Sequence, residues 1–467
     1  MPSRVLLISA NRCTTPDAVF PLGLACLSGA LREAGHECVW LDYLADAPEM
    51  SRRIAECKPD FAAISLRNID DILIRRKETF FESLASLSDV VRSHHKCPVI
   101  VGGSGFSIFP RELFELSGAD YGIAGEGEAS LVALIRALET GAGYRSIPGL
   151  VYRQDGTVFT NASAPGRSAR PLGDEDRPAR LANHYLSASQ VLNAQTQRGC
   201  AYKCCYCTYP LIEGKAHRRR PAGAVAEELE QIQRLGGRHV FIVDSVFNSS
   251  PKHVTEVCEA ILARKVKLSW GCFLRPQHLT TGLMKLMARA GLSHIEFGAD
   301  SFCDEVLAAY GKGLTFEDIL ESSELAAREK VAYCHFLISG GPGETVHTLR
   351  KGFENSLRLP GPVIMAVAGM RIYPGTDLFE RAVTEGRVAR NANLLEPVYY
   401  LAPGLTEETV FAELKHFARQ SPAWIVGDPV PGYLELMERL RKKGVVGPLW
   451  SYFPIVQRLW PQATSSQ

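Results

Sequence analysis

A surplus of charge is the first thing this 467-residue chain lacks, with 52 Lys and Arg set against 51 Asp and Glu. No global field therefore draws it to nucleic acid or to an anionic membrane. An RNA-modifying enzyme would more often carry a visibly basic domain, and no nucleic-acid partner is expected. No uninterrupted apolar run is long enough to cross a bilayer, so no transmembrane segment is expected. Met1-Pro2-Ser3-Arg4 leads straight into an apolar strand, without the hydrophobic core or cleavage site of a signal peptide. Thirteen cysteines are many, yet they form no paired, regularly spaced framework. Cys13, Cys26, Cys38, Cys57 and Cys97 are scattered through expected strands and helices, where small buried thiols are ordinary. A reducing cytoplasm is the compartment this usage implies. The aromatic end of the chain, Trp450, Tyr452, Phe453 and Trp460, reads as the packing surface of a last helix rather than a membrane anchor.

What is present is length and alternation. The chain can form two or three domains, each with its own core. Arg4 to Ser9 is a short all-apolar run of the kind found in a parallel strand covered on both faces. Pro21 to Gly35 has apolar residues near helical spacing and a glycine stop. Strand candidates follow at Glu37 to Tyr43, Phe61 to Leu66, Pro98 to Val101 and Tyr121 to Ala124, with helices at Glu82 to Ser93 and Arg111 to Leu116. This alternation predicts an α/β, doubly wound, Rossmann-like domain over 1–140, with its ligand beyond the carboxyl ends of the strands. Gly102 and Gly103, and the Gly125-Glu126-Gly127 run, stand directly after strands, where backbone can approach a bulky ligand.

Residues 141–190 read as a linker holding a small hairpin about Asp155-Gly156. Its stretch from Pro165 to Pro178 reads as an exposed, solvated connector. From 191 to 400 helix and strand alternate again: a helix at Val225 to Leu235, then strands at His239 to Val243, Leu268 to Phe273, His294 to Phe297, Ala332 to Ile338 and Ile364 to Ile372. That series fits a partial (β/α)6 TIM-type barrel with its site at the strand C-termini. Residues 401–467 read as a small, mainly helical cap over the substrate cavity, with helices at Val410 to Ala418 and Tyr433 to Lys443.

Between the two patterns lies Arg198-Gly-Cys-Ala-Tyr-Lys-Cys-Cys-Tyr-Cys207. Cys200, Cys204 and Cys207 stand in a C-x3-C-x2-C spacing that lets one loop wrap three thiolates around a single inorganic cluster. A [4Fe-4S] cluster held by three cysteines keeps one iron free for a substrate or cofactor. A zinc site and a group of core thiols are the alternatives. Zinc usually takes a fourth protein ligand, and the nearest histidine, His217, lies ten residues on in an Arg-rich run. Cys205, beside Cys204, reads as a packed thiol.

The triad, with Tyr206 before its last cysteine, resembles the cluster loop of the radical S-adenosylmethionine (SAM) superfamily. With the glycine-turned domain ahead of it, the chain resembles the cobalamin-binding class of that superfamily, of methyltransferase type. The resemblance implies three cofactors, a [4Fe-4S] cluster, SAM and cobalamin, with the open iron chelated by SAM, whose reductive cleavage gives a 5'-deoxyadenosyl radical. It also implies an electron donor such as flavodoxin or ferredoxin. The D-x-H-x-x-G cobalamin signature is absent, as in many radical SAM members. The resemblance puts the lower face of cobalt against Asn11 to Thr15 and Arg67 to Asp71, and the corrinoid tail near Gly102, Gly103, Gly125, Glu126 and Gly127. Arg67, with Asn68 beside it, could not ligate cobalt, because its guanidinium offers no lone pair, and would instead discourage an axial ligand. A surface arginine paired with Asp70 or Asp71 is the alternative.

The Gly-Gly-Glu that commonly holds the SAM amino group is also missing, so Asp244 or Ser245 must substitute. Arg220, within Arg218-Arg-Arg-Pro221, could anchor SAM, the corrin edge or an anionic substrate. Ser301 could reach SAM or cap a helix. Arg371 or Tyr373 would face the cavity as catalytic candidates. The resemblance implies methylation of an unactivated carbon of a small-molecule or natural-product substrate. Oxidative cyclisation or rearrangement without methyl transfer is the alternative within the enzymes, and a non-catalytic cobalamin-binding regulator is the alternative outside them. A transfer-RNA methylthiotransferase is disfavoured, since the first domain offers no set of three cluster-binding cysteines.

Overall fold

A computed structural model describes residues 2–14, 17–164, 166, 172–427 and 435–455, and the backbone alone of 431–434. The first domain is a seven-stranded sheet of β1 (Arg4–Ser9), β2 (Glu37–Asp42), β3 (Phe61–Ser65), β4 (Val99–Gly102), β5 (Tyr121–Ile123), β6 (Leu150–Gln154) and β7 (Thr157–Thr160), in the order β2-β1-β3-β4-β5-β6-β7. The first five strands are parallel. Alternate residues of β1 enter different cores, Leu6 and Ile8 on one face, Val5 and Leu7 on the other. That two-sided burial is why the strand reads as a continuous apolar run.

The hairpin forms as expected, with Asp155 and Gly156 both at positive φ, but it is not a detached linker. Its β6 pairs antiparallel with β5, Tyr121 against Tyr152, and extends the first sheet. Pairing its edge satisfies backbone groups that a free hairpin would leave to solvent. Within the expected connector, Pro165 and residues 167–171 lie outside the described residues. Its end is buried: Arg177 lies 1% exposed and pairs with Glu228. Helix Ala179–Ala188 then packs Leu181, Ala182 and Tyr185 into a core shared by both domains.

The second domain runs β8 (Val191–Ala194), a ribbon of β9 (Gln197–Arg198) and β10 (Arg218–Arg219), then β11 (His239–Ile242), β12 (Ser269–Leu274), β13 (Leu292–Asp300), β14 (Ala332–Ser339), β15 (Val363–Ala368), a second ribbon of β16 (Met370–Arg371) and β17 (Tyr399–Tyr400), and β18 (Trp424–Val426). The barrel sheet has the order β18-β15-β14-β13-β12-β11-β8, and every pair in it is parallel. The five strands located in the sequence are joined by β8 and β18, so the C-terminal region is part of the barrel wall. Its helix Glu407–Gln420 packs against helix Val346–Ser356.

The described residues of the tail lie at the other end of the barrel from its mouth. Leu449, Trp450 and Phe453 pack on Cys334, Val363 and Ile425, at the N-terminal end of the strands. Exposed apolar side chains at that end need cover as much as any core does, and the tail supplies it. Trp460 lies outside the described residues. Among the described residues no helix is long and apolar enough to cross a membrane.

Candidate functional site

A cavity of about 270 Å³ lies between the carboxyl ends of β1, β3, β4 and β5 and the second domain. The first domain contributes Asn11, Ser65, Arg67, Gly102, Gly103, Gly125, Glu126 and Gly127, and the second contributes Gln195, Arg198, Tyr209, Ile212 and Glu213. Gly103 sits at φ 103°, where a Cβ would stand 2.4 Å from the carbonyl oxygen of Leu66. Only glycine lets the turn after β4 close on the turn after β3, and that closure shapes the cavity wall. Arg67 is exposed to this space and has no ion-pair partner among the described residues. Asn11 and Asn68 each keep a buried Oδ1 without a hydrogen-bond partner. Asn11 lines the cavity, and an orphaned acceptor there fits a ligand rich in amide donors, of which the corrin periphery is one. Thr15, expected on the same face, lies outside the described residues.

Glu126 belongs to the cavity wall but its carboxylate is already engaged. It accepts from Arg198 and Arg218, each Nη1 at 3.0 Å from Oε2, and Arg198 also lies 2.7 Å from Glu128. The pair is buried, with Glu126 6% and Arg198 10% exposed at the side chain, and it fastens the two domains beside the cavity.

The cluster loop leaves β9 through Gly199, where a Cβ would stand 2.1 Å from the Ala216 carbonyl. Cys200 is buried; Cys204 and Cys207 are half-buried, and all three are free thiols. Backbone bonds from Cys200 to Gly214 (3.0 Å) and from Cys207 to Cys204 (3.1 Å) fix the loop. Among the described residues no three His, Cys, Asp or Glu side chains close on one ion. The three thiols nevertheless lie close enough to influence one another electrostatically. Burial pushes the Cys207 thiol up to about 12, and raises that of Cys204, against the pull of Lys312 and Arg275. Loading a cluster must therefore displace protons from these sulfurs.

Cys205 departs from this group: its backbone binds Tyr310 and Leu378, and its side chain packs on the core. Tyr206 turns its hydroxyl to Asp300, which also receives Lys312 at 2.6 Å. Asp300 closes β13 at φ 66°, beside a shift in strand register. A non-glycine residue held there is strained, and such strain concentrates at working sites. Arg275, following β12, lies 4.2 Å over the ring of Tyr202. Asp300 directly precedes Ser301, which the sequence singles out, and Lys312 stands between two glycines, Gly311 and Gly313. Arg275, Tyr209 and Glu213 carry no such sign beyond their places after a strand end and after Cys207.

Other sequence candidates are engaged elsewhere. Asp244 is fully buried and accepts from Thr196 N at 2.7 Å and Gln197 N at 3.2 Å, besides the Thr196 hydroxyl, so its oxygens hold the turn before the cluster loop. Burial raises its carboxyl to about 7. Ser245 donates to Gly199 O at 3.1 Å, bracing the same turn. Arg220 pairs with Glu228 at 2.6 Å and binds Gln195 O at 2.6 Å. Ser301 accepts from Cys303 N at 3.2 Å, just before helix Asp304–Ala309.

Arg371 and Tyr373 do not face the cavity. Arg371 is 5% exposed, donates to Asp70 at 2.9 Å and to the carbonyls of Ile372 and Leu394, each at 2.7 Å. The Tyr373 hydroxyl donates to the same carboxylate at 3.3 Å. Asp70 thus takes its partner from the second domain, and Arg67 is left to the cavity.

A B12 binding domain model matches residues 9–135 and a radical SAM superfamily model matches residues 195–354, together more than half of the chain. The tryptophan 2-C-methyltransferase of Streptomyces laurentii is 26% identical over 442 residues, covering 79% of this chain and 73% of that protein. An anaerobic magnesium-protoporphyrin IX monomethyl ester cyclase from Cereibacter sphaeroides is 25% identical over 351 residues, covering 72% of this chain and 56% of that protein. The radical SAM methyltransferase TsrM of Kitasatospora setae, solved with cobalamin and a [4Fe-4S] cluster bound, superposes over all of both chains with a TM-score of 0.85 at 22% identity. The chain belongs to the radical SAM superfamily, in the branch that carries a B12 binding domain ahead of the radical SAM domain.

Proposed function

We propose that the chain methylates an unactivated carbon of a small molecule. The observation that carries this reading is the placement of the cavity, whose far wall is built by Arg198, Tyr209, Ile212 and Glu213, the residues flanking the cluster cysteines. The residues that would seat a corrinoid and the loop that would hold a SAM-bearing cluster thus meet at one wall between the two domains. When bound, the cluster with SAM supplies one-electron chemistry and the corrinoid supplies a transferable methyl group. Cys200, Cys204 and Cys207 hold the cluster, and Asp300 with Lys312 fixes Tyr206 at its edge. Arg67, exposed to the cavity, would contact a corrinoid held there, and its guanidinium offers no lone pair to a metal. Asn11, in the cavity wall, would offer its free oxygen to the corrin amides. A flavodoxin or ferredoxin supplies the electron. Relatives named as methyltransferases support the reaction type.

The test is anaerobically reconstituted protein incubated with methyl-labelled SAM and extract from a strain lacking the gene. Label in a new product is the expected result. Unlabelled product accompanied by deoxyadenosine would overturn methyl transfer in favour of oxidative cyclisation, the chemistry in the name of the Cereibacter relative.

A further inference from the structure

The barrel interior shows a pattern that the cofactor sites do not use. On five consecutive strands the half-buried residues toward the carboxyl ends fall on the inward face, while their neighbours, and the inward residues nearer the floor such as His239, His294, Cys334 and Val363, are buried. The inward positions include Phe241, Phe273, Phe336 and Met365, with Glu296 among them on β13. Period-two exposure on the concave face of this seven-stranded sheet means a lumen with room in it, since filled barrels bury these positions completely. Phe241 and Phe273 meet edge to face at 4.9 Å on one side of it.

The lumen has a floor and a mouth. At the floor Trp450 stands edge-on to His294, which stacks on His239. At the mouth Asp300 binds Lys312 and Tyr206 of the cluster loop. Glu296 lies four residues below Asp300 on the same strand, about 13 Å at the usual rise. One of its oxygens accepts from Trp450 Nε1 at 3.1 Å, and the other has no partner among the described residues. Asp300 is the other inward carboxylate of these strands, and it is already paired. Among the described residues no cation faces Glu296: Lys312 is held by Asp300, and burial lowers His294 to about 3 and His239 to about 4, so both are neutral.

We infer that this lumen receives the substrate as an apolar or aromatic body whose proton-bearing nitrogen is bound by Glu296. The inference rests on the methyltransferase reading for the word substrate, but the site itself is defined by the lumen and its carboxyl. The aromatic wall supplies the affinity for a flat apolar body. A carboxylate in such surroundings rewards a donor and rejects another anion, because an unpartnered charge there costs far more than at the surface. Trp450 sets the orientation of the carboxyl by occupying one oxygen.

Binding of benzylamine, benzyl methyl ether and phenylacetate to the reconstituted protein, followed by NMR titration at about pH 8, tests this without turnover, so its failure and the failure of methyl transfer are distinguishable. Benzylamine should bind at least about tenfold more tightly than either of the others. Glu296→Gln, whose amide oxygen can still accept from Trp450, should bring the three within about twofold. Trp450→Phe, which leaves the carboxylate in place, should keep the preference. Equal affinities in the wild type, absence of saturable benzylamine binding, or a preference that survives Glu296→Gln would each overturn the assignment.

Discussion

Asp70 and Arg371, 301 residues apart, form a buried ion pair 2.9 Å long, with side-chain exposures of 0% and 4%. Truncating one member of such a pair strands the other charge, at about 3–5 kcal/mol. Asp70→Asn should therefore destabilise the chain by that order in urea unfolding. The double variant Asp70→Asn, Arg371→Met should recover much of the loss, because no buried charge is then left alone. Equal losses in single and double variants would mean the pair acts through packing. Glu296 gives a second handle, in pH. Burial lifts its carboxyl from 4.5 to about 7. The folded chain then holds a proton that the unfolded chain has released, so the contribution of this group is complete below about pH 4.5 and is lost as pH rises to about 7. Its partial access to the lumen tempers the size, leaving on the order of 1–3 kcal/mol. Stability of the wild type should fall across that window relative to Glu296→Gln, with His294 neutral throughout. Parallel profiles would count against a shifted carboxyl.

The loop from Cys200 to Cys207 makes a prediction as a unit. Replacing Cys200, Cys204 or Cys207 by Ala should abolish four-iron absorbance and most of the bound iron. Cys205→Ala should keep both, because that thiol packs on the hydrophobic core rather than joining the three. Iron and sulfide analysis of anaerobically prepared variants distinguishes the four, and loss of the cluster in Cys205→Ala would reassign the ligands. The triad was legible because its spacing is local. The strands of the first sheet were legible for a similar reason: full burial on both faces writes itself as a run of apolar residues. Three things were not. Helix Met50–Cys57, with only Met50, Ile54 and Cys57 buried, offers too narrow a stripe to stand out. β18, three residues long, becomes a strand only because β15 is there to pair with it. Arg371, Asp244 and Arg220 carry the residue types of a ligand site, and their actual partners, Asp70, Thr196 and Glu228, depend on chain crossings that no local spacing reveals.

Two of the three hydrophobic cores run through both domains, and polar clamps reinforce the contact: Glu126 with Arg198 and Arg218, Asp46 with Arg180, Tyr185 with Asp42 and Asp70 with Arg371. An interface of shared core makes the domains one cooperative unit rather than two beads. The cavity lies inside that interface, so a ligand filling it binds only the assembled form and must stabilise it by mass action. Calorimetry of the wild type should accordingly show one transition that moves upward as cobalamin is added. Glu126→Ala removes a clamp at the cavity wall and leaves Arg218 and Arg198 with fewer partners. It should lower the transition, separate it into two, and weaken cobalamin binding measured by absorbance titration. Arg180→Ala, which removes a more exposed contact to Asp46 away from the cavity lining, should cost less stability and leave cobalamin affinity unchanged. If Glu126→Ala and Arg180→Ala weakened cobalamin equally, the corrinoid would be sensing general domain docking; a selective loss in Glu126→Ala ties its seat to the wall that Glu126, Arg198 and Arg218 build.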